Sequence, residues 1–239
     1  MENKIILSLS LNLFLLSGCA HYYMPANHFV TPEAVGGKSH FGRLEWLGLQ
    51  SGSDLTDPAN TVAAAAGSTD APTQELQKTW AHPTFSFSYA LKNNLDLSLK
   101  IEPYAPLLLS LKYQFVGLPE DESKPGNFSM AIQASGGLML GAFEGVSTSY
   151  YLLDGILVGG YRIAERHLAY LGPYFSLAGI SGIASLSSTS ANQYGACLGY
   201  QYRLESVFTR LELVWGLGGA LGESKIKGFF GGAQVGFLL

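Results

Sequence analysis

Leu95-Asp96-Leu97-Ser98-Leu99-Lys100-Ile101-Glu102 sorts its side chains into two classes at a period of two. The odd positions are Leu, Leu, Leu and Ile; the even ones are Asp, Ser, Lys and Glu. Wound into a helix, Lys100 and Glu102 would fall on different faces, and one of them would lie among leucines. In a strand, successive side chains point to opposite faces, so every polar group shares one side. The stretch reads as a β-strand with one apolar and one charged face.

The same period governs the chain around it. Phe85, Phe87, Tyr89 and Leu91 oppose Thr84, Ser86, Ser88 and Ala90; Leu109, Leu111, Tyr113 and Phe115 oppose Ser110, Lys112 and Gln114. Phe128, Met130 and Ile132 oppose Ser129, Ala131 and Gln133, and Leu211, Leu213 and Trp215 oppose Arg210 and Glu212. Ten strands are expected, near 39–50, 81–91, 95–102, 107–116, 127–138, 150–163, 168–180, 192–203, 207–216 and 227–239. Residues 150–163 and 168–180 alternate poorly. Tight polar turns are expected at Lys92-Asn93-Asn94, at Ala164 to His167 and around Leu204-Glu205-Ser206. Long Ser-, Gly- and Ala-rich connections are expected at 51–80, 139–149, 181–191 and 217–226. Alternating short and long connections suit a membrane barrel, with short turns periplasmic and long loops outside. Two connections depart from that rule: Pro103 to Pro106 is short, and Leu118 to Gly126 is long.

Composition agrees. Hydrophobic residues make up 47% of the 239 and charged residues only 13%, about half the usual share of charge. Beyond residue 20 no run reaches the ~18 apolar residues that a spanning helix needs. Apolarity spread along the chain, rather than blocked, predicts an all-β fold: an antiparallel up-and-down transmembrane β-barrel of about ten strands, with about eight to 12 possible. A net charge of −4 without a basic run argues against a nucleic-acid partner. Two cysteines as far apart as Cys19 and Cys197 do not suggest a disulfide framework.

At the N-terminus, Lys4 precedes an apolar stretch from Ile5 to Leu16 that has the length of a signal peptide. It ends in Leu16-Ser17-Gly18-Cys19, which resembles the lipobox of bacterial lipoproteins. The resemblance implies cleavage before Cys19 and diacylglycerol on its thiol. Ala20 rather than Asp in the next position implies sorting to the outer membrane. Gly18-x-Ala20 also fits ordinary signal-peptidase cleavage after Ala20. The organisation expected is a signal peptide at 1–18, a periplasmic tether at 19–38 and an outer-membrane barrel at 39–239. Gln234-x-Gly236-x-x-Leu239 resembles the C-terminal β-signal of outer-membrane barrels, with Leu where many members carry Phe or Trp. By pattern the mature chain resembles small bacterial outer-membrane β-barrel proteins in general. That resemblance implies outer-membrane lipids and the barrel-assembly and lipoprotein-sorting machineries as partners, with the lipidated N-terminus on the periplasmic side.

In such a barrel the polar faces line the lumen. Arg43, Glu45, Lys100, Glu102, Lys112, Arg210 and Glu212 are expected there, with Asp154 and Arg162 as further candidates. They could select a solute or form an ion-pair network that fills a narrow barrel. An aromatic girdle at one membrane interface is expected from Tyr89, Tyr113, Phe115, Tyr161, Tyr202 and Phe237, whose rings suit the headgroup level. No catalytic set, metal-spaced cluster or phosphate loop is evident, so no catalytic residue, metal or cofactor is assigned. His82, before Pro83, reads as an exposed rim histidine. Cys197 shares a face with Gln201 and Arg203 and reads as an inert buried thiol. The function expected is a non-enzymatic barrel, structural or narrow-pored, with outward loops. Two alternatives are a barrel enzyme acting on outer-membrane lipids and a lipocalin-like lipoprotein that encloses an apolar ligand.

Overall fold

The computed structural model describes residues 22–38, 40–55, 77–143, 146–182, 188–220 and 225–239. Eleven strands follow in order: β1 (Tyr23–Pro25), β2 (Gly42–Asp54), β3 (Gln77–Lys92), β4 (Leu95–Ile101), β5 (Leu108–Val116), β6 (Phe128–Phe143), β7 (Val146–Ala164), β8 (His167–Gly182), β9 (Ser188–Leu204), β10 (Val207–Ala220) and β11 (Lys225–Leu238). There is no helix among the described residues. From β2 to β11 each strand pairs antiparallel with the next, and β2 pairs with both β3 and β11, closing a ten-stranded barrel.

All ten strands expected from the alternation are present. Their ends agree with expectation at the tight turns, where Asn93-Asn94, Glu165-Arg166 and Glu205-Ser206 reverse the chain. At the opposite end the strands run further than expected. β6 continues to Phe143, β7 begins at Val146, β8 ends at Gly182, β9 begins at Ser188 and β10 ends at Ala220. Much of the expected connections 139–149, 181–191 and 217–226 is therefore strand, and β2 and β3 extend into both ends of 51–80. Ladder hydrogen bonds need only backbone groups, so pairing outlasts the alternation that marks it in sequence. The Ala63–Ala66 run lies outside the described residues.

The apolar faces point outward. Trp46, Leu140 and Leu171 are 61%, 68% and 63% exposed, while the largest fully buried side chains include Arg43, Arg162 and Arg210. A water-soluble barrel has the reverse arrangement. β7 and β8 depart from this polarity because they are apolar on both faces. Tyr150, Leu152, Ile156, Val158, Tyr170 and Tyr174 point inward, and Leu153, Leu157, Tyr161, Leu171 and Phe175 point outward. A strand buried on one face and apolar on the other loses the alternating signature, which is why these two segments alternate poorly.

What covers that inward face corrects the expected tether. Residues 22–35 lie inside the barrel, where Tyr22, Met24, Ala26, Val30 and Val35 are all buried. The segment enters beside the far end of β2, where β1 pairs Tyr23 with Asp54 and Pro25 with Gly52. β2 bonds to β11 only as far as Gln50. Beyond that point β1 joins it. The segment then runs down the lumen to Gly36-Gly37, both at positive φ (104° and 86°), and turns back into β2. At Gly36 the positive φ strains any larger residue, and an added Cβ, 1.9 Å from the Asp121 carboxylate, would also displace that side chain. Eight of these residues, Tyr22, Tyr23, Met24, Ala26, Phe29, Val30, Ala34 and Val35, are apolar and buried, which is why the segment is inside rather than in solvent.

Candidate functional site: the occupied lumen

An extended segment inside a barrel cannot hydrogen-bond to water, so its amides and carbonyls need partners from the wall. The alternating polar faces supply them. Glu212 accepts from the backbone N–H of His28 at 2.7 Å and of Phe29 at 3.0 Å. Arg210 donates to the Phe29 carbonyl at 3.0 Å and Lys112 to the Glu33 carbonyl at 2.8 Å. Gln114 Oε1 accepts from Ala34 N at 2.7 Å, and both oxygens of Asp96 lie 3.2 Å from Val35 N. Phe29 has a φ of 53°, a left-handed conformation unfavourable for a bulky residue. It is pinned there by Glu212 on its N–H and Arg210 on its carbonyl.

The charges also pair with one another. Lys100 meets Glu102 at 2.5 Å, Lys112 meets Asp96 at 2.9 Å and Arg210 meets Glu45 at 2.6 Å. Arg162, on β7, forms an ion pair with Glu33 of the threaded segment, and Glu33 also accepts from Ser123 and Asn127. Arg43 pairs with Glu120. Glu120 belongs to the long connection 117–127, which folds back into the mouth of the barrel, its N–H bonded to Ala34 O at 2.7 Å. It also accepts from Gln201 Nε2 at 2.6 Å and lies 3.6 Å from Arg203. Burial opposes the charge on Glu120, but Arg43, Arg203, Arg210 and Arg162 outweigh it and hold the carboxyl well below the usual carboxylate range. The connection that departed from the short-turn rule is thus a lid on the tight-turn end. The guanidinium groups of Arg43 and Arg210 lie 5.6 and 4.4 Å from the Phe208 ring centroid.

The residues expected in the lumen stand as follows. Arg43, Glu45, Glu102, Lys112, Arg210 and Glu212 are buried inside, and Lys100 is largely so. Asp154 and Arg162 also lie on inward faces. Of the aromatic set, Tyr89, Tyr113, Phe115 and Tyr161 are exposed on the outer surface at the tight-turn end, whereas Tyr202 and Phe237 are half-buried there. His82 is half-buried rather than exposed. It follows the inward parity of β3 and stacks on Tyr23 with ring centroids 4.1 Å apart. The threaded segment supplies a ring surface that the local sequence did not anticipate. Cys197 is a buried free thiol on the inward face with Gln201. Cys19 lies outside the described residues. Glu33 and Glu120 were not anticipated, since both sit in irregular segments without a period. Charge counting gave no signal for them either: Arg43, Lys100, Lys112, Arg162 and Arg210 are matched in number by Glu45, Asp96, Glu102, Asp154 and Glu212 on the same inward faces.

A cavity of about 30 Å³ lies between Thr31 and the inner faces of β2 to β6, bounded by Arg43, Ser86, Lys100, Ser110 and Lys112. One water needs roughly 10–15 Å³ by such a measure, so the space suits a water or two and no larger solute. No group of His, Cys, Asp and Glu among the described residues is arranged to hold a metal ion. No protein-family model matches the chain, and no curated protein matches it either.

Proposed function

We propose that this protein is a non-enzymatic outer-membrane β-barrel lipoprotein whose lumen is filled by its own N-terminal segment. One observation carries the reading: the barrel is inverted, with Leu, Phe, Tyr and Trp outside and arginine, lysine and glutamate inside. Exposed apolar area of this extent calls for a hydrocarbon solvent. Lipid against that belt, the assembly machinery for barrels and the sorting machinery for lipoproteins are the partners that follow. Within this reading the lumen charges hold the threaded segment and brace the barrel. They do not select a solute. The lipocalin-like alternative fits poorly, because a lumen crossed by a polypeptide and lined with ion pairs offers an apolar ligand no room. A barrel enzyme acting on lipids has no observation of its own in its favour.

The test is fractionation with gel migration. The expected result is a band in the outer-membrane fraction that resists carbonate extraction and migrates differently before and after boiling. Cys19→Ala is expected to remain in that fraction. Recovery of this variant in the soluble periplasm would overturn the membrane-barrel reading.

A further inference from the structure

The two ends of the threaded segment lie at opposite ends of the barrel. At its start, Leu55 N donates to Tyr22 O at 2.7 Å, Tyr23 N donates to Tyr104 O at 3.0 Å, and the Tyr22 hydroxyl bonds Thr148. Leu55, Tyr104 and Thr148 all belong to the end opposite the tight turns. At its finish, Val35 bonds Asp96, Lys38 N donates to Asp121 at 2.8 Å, and the Glu120 lid closes over Ala34. These groups belong to the tight-turn end. The chain from Tyr22 therefore crosses the full height of the barrel before β2 begins, and Tyr22 lies at the end with the longer connections.

Cys19 is three residues before Tyr22. A fully extended chain covers at most about 3.6 Å per residue, so its α-carbon lies within about 11 Å of that of Tyr22. The hydrocarbon core of a bilayer is about 30 Å thick. A lipid on Cys19 cannot reach back to the leaflet at the tight-turn end. Short turns face the periplasm in outer-membrane barrels. We propose that the acyl anchor on Cys19 sits in the outer leaflet, at the cell surface beside the long connections, delivered there by threading through the lumen. This reverses the side expected when the segment is taken as a tether. It rests on the membrane-barrel and lipidation readings above.

Surface labelling of full-length protein in intact cells tests the placement. With Cys197→Ser as background, His21→Cys marks the segment near the anchor, Ser68→Cys the 56–76 connection and Lys124→Cys the lid. A membrane-impermeant maleimide is expected to label His21→Cys and Ser68→Cys in intact cells. It is expected to reach Lys124→Cys only after the outer membrane is permeabilised. Labelling of His21→Cys under the same condition as Lys124→Cys, or labelling of Lys124→Cys in intact cells, overturns the proposal. Threading has its own check. Met24→Cys and Ser53→Cys are direct partners in the β1–β2 ladder, within the Cα separation a disulfide spans. They are expected to form an intramolecular disulfide in membranes, and its absence counts against the threaded path. Incorporation of a palmitate analogue into the native chain, lost in Cys19→Ser, reads lipidation separately. Heat-modifiable migration of each variant reads the barrel separately.

Discussion

Glu33 and Glu120 tie the irregular parts of the chain to the barrel wall, and both do so through arginine. Arg162 is fully buried, with its charge balanced by Glu33. Removing one partner of a buried pair leaves the other uncompensated, at about 3–5 kcal/mol. Glu33→Ala is therefore expected to lower markedly the temperature at which the folded band converts to the unfolded one on a gel. Adding Arg162→Leu is expected to recover part of the loss, since the orphaned charge goes with it. Glu120 carries a pH dependence. Its carboxyl titrates below its unfolded value, so its contribution is complete above the ordinary carboxylate pKa, about 4.3, and is lost as pH falls through the folded pKa. Acid-unfolding curves in detergent are expected to have a shallower acid limb in Glu120→Gln than in the native protein. Neither glutamate was legible as a site, because no period organises an irregular segment. Lys112 and Glu212 were legible as lumen residues from parity alone, but not as the groups that bond the backbone of a threaded chain.

Wall glycines make room for that chain. A Cβ on Gly232 would lie 2.5 Å from the Phe29 ring and 2.9 Å from Asn27, and one on Gly160 would lie 2.7 Å from Pro32. Gly155, by contrast, has nothing within 4 Å of its added Cβ. Gly232→Val is expected to destabilise the barrel by about 1–3 kcal/mol through overpacking and to expose the segment to added protease. Gly155→Ala is expected to be neutral in the same assays. Limited proteolysis of the detergent-folded protein, with N-terminal sequencing of the fragments, distinguishes the two variants. The strands themselves were legible wherever one face met polar groups, as in β4 and β5. β7 and β8 were expected as strands, but their faces were not legible, because Tyr150, Leu152 and Tyr170 share a buried cluster with Tyr22, Met24 and Val30 that no local pattern records.

The cavity of about 30 Å³ beside the threaded segment has room for a water or two, and the proposed plug predicts a barrel closed to ions. Purified protein in planar bilayers is expected to pass no steady current. A chain lacking residues 22–35 is expected to give discrete conductance steps, provided it still migrates heat-modifiably. Steady current through the native protein would mean that the segment leaves the lumen under working conditions.

The sequence by itself determined the ten strands, the inward and outward faces of those that alternate, and the lumen charges that those strands carry. All three follow from a period of two, which is local and survives in one dimension. Only the tertiary structure decided what the lumen holds. Residues 22–35 contain two prolines and no regular alternation, so nothing local distinguishes a chain in water from one inside a barrel. Their place depends on partners far along the sequence, Glu212 for His28 and Phe29, Arg162 for Glu33 and Lys112 for the Glu33 carbonyl. Those partners come within reach only once the sheet has closed around the segment.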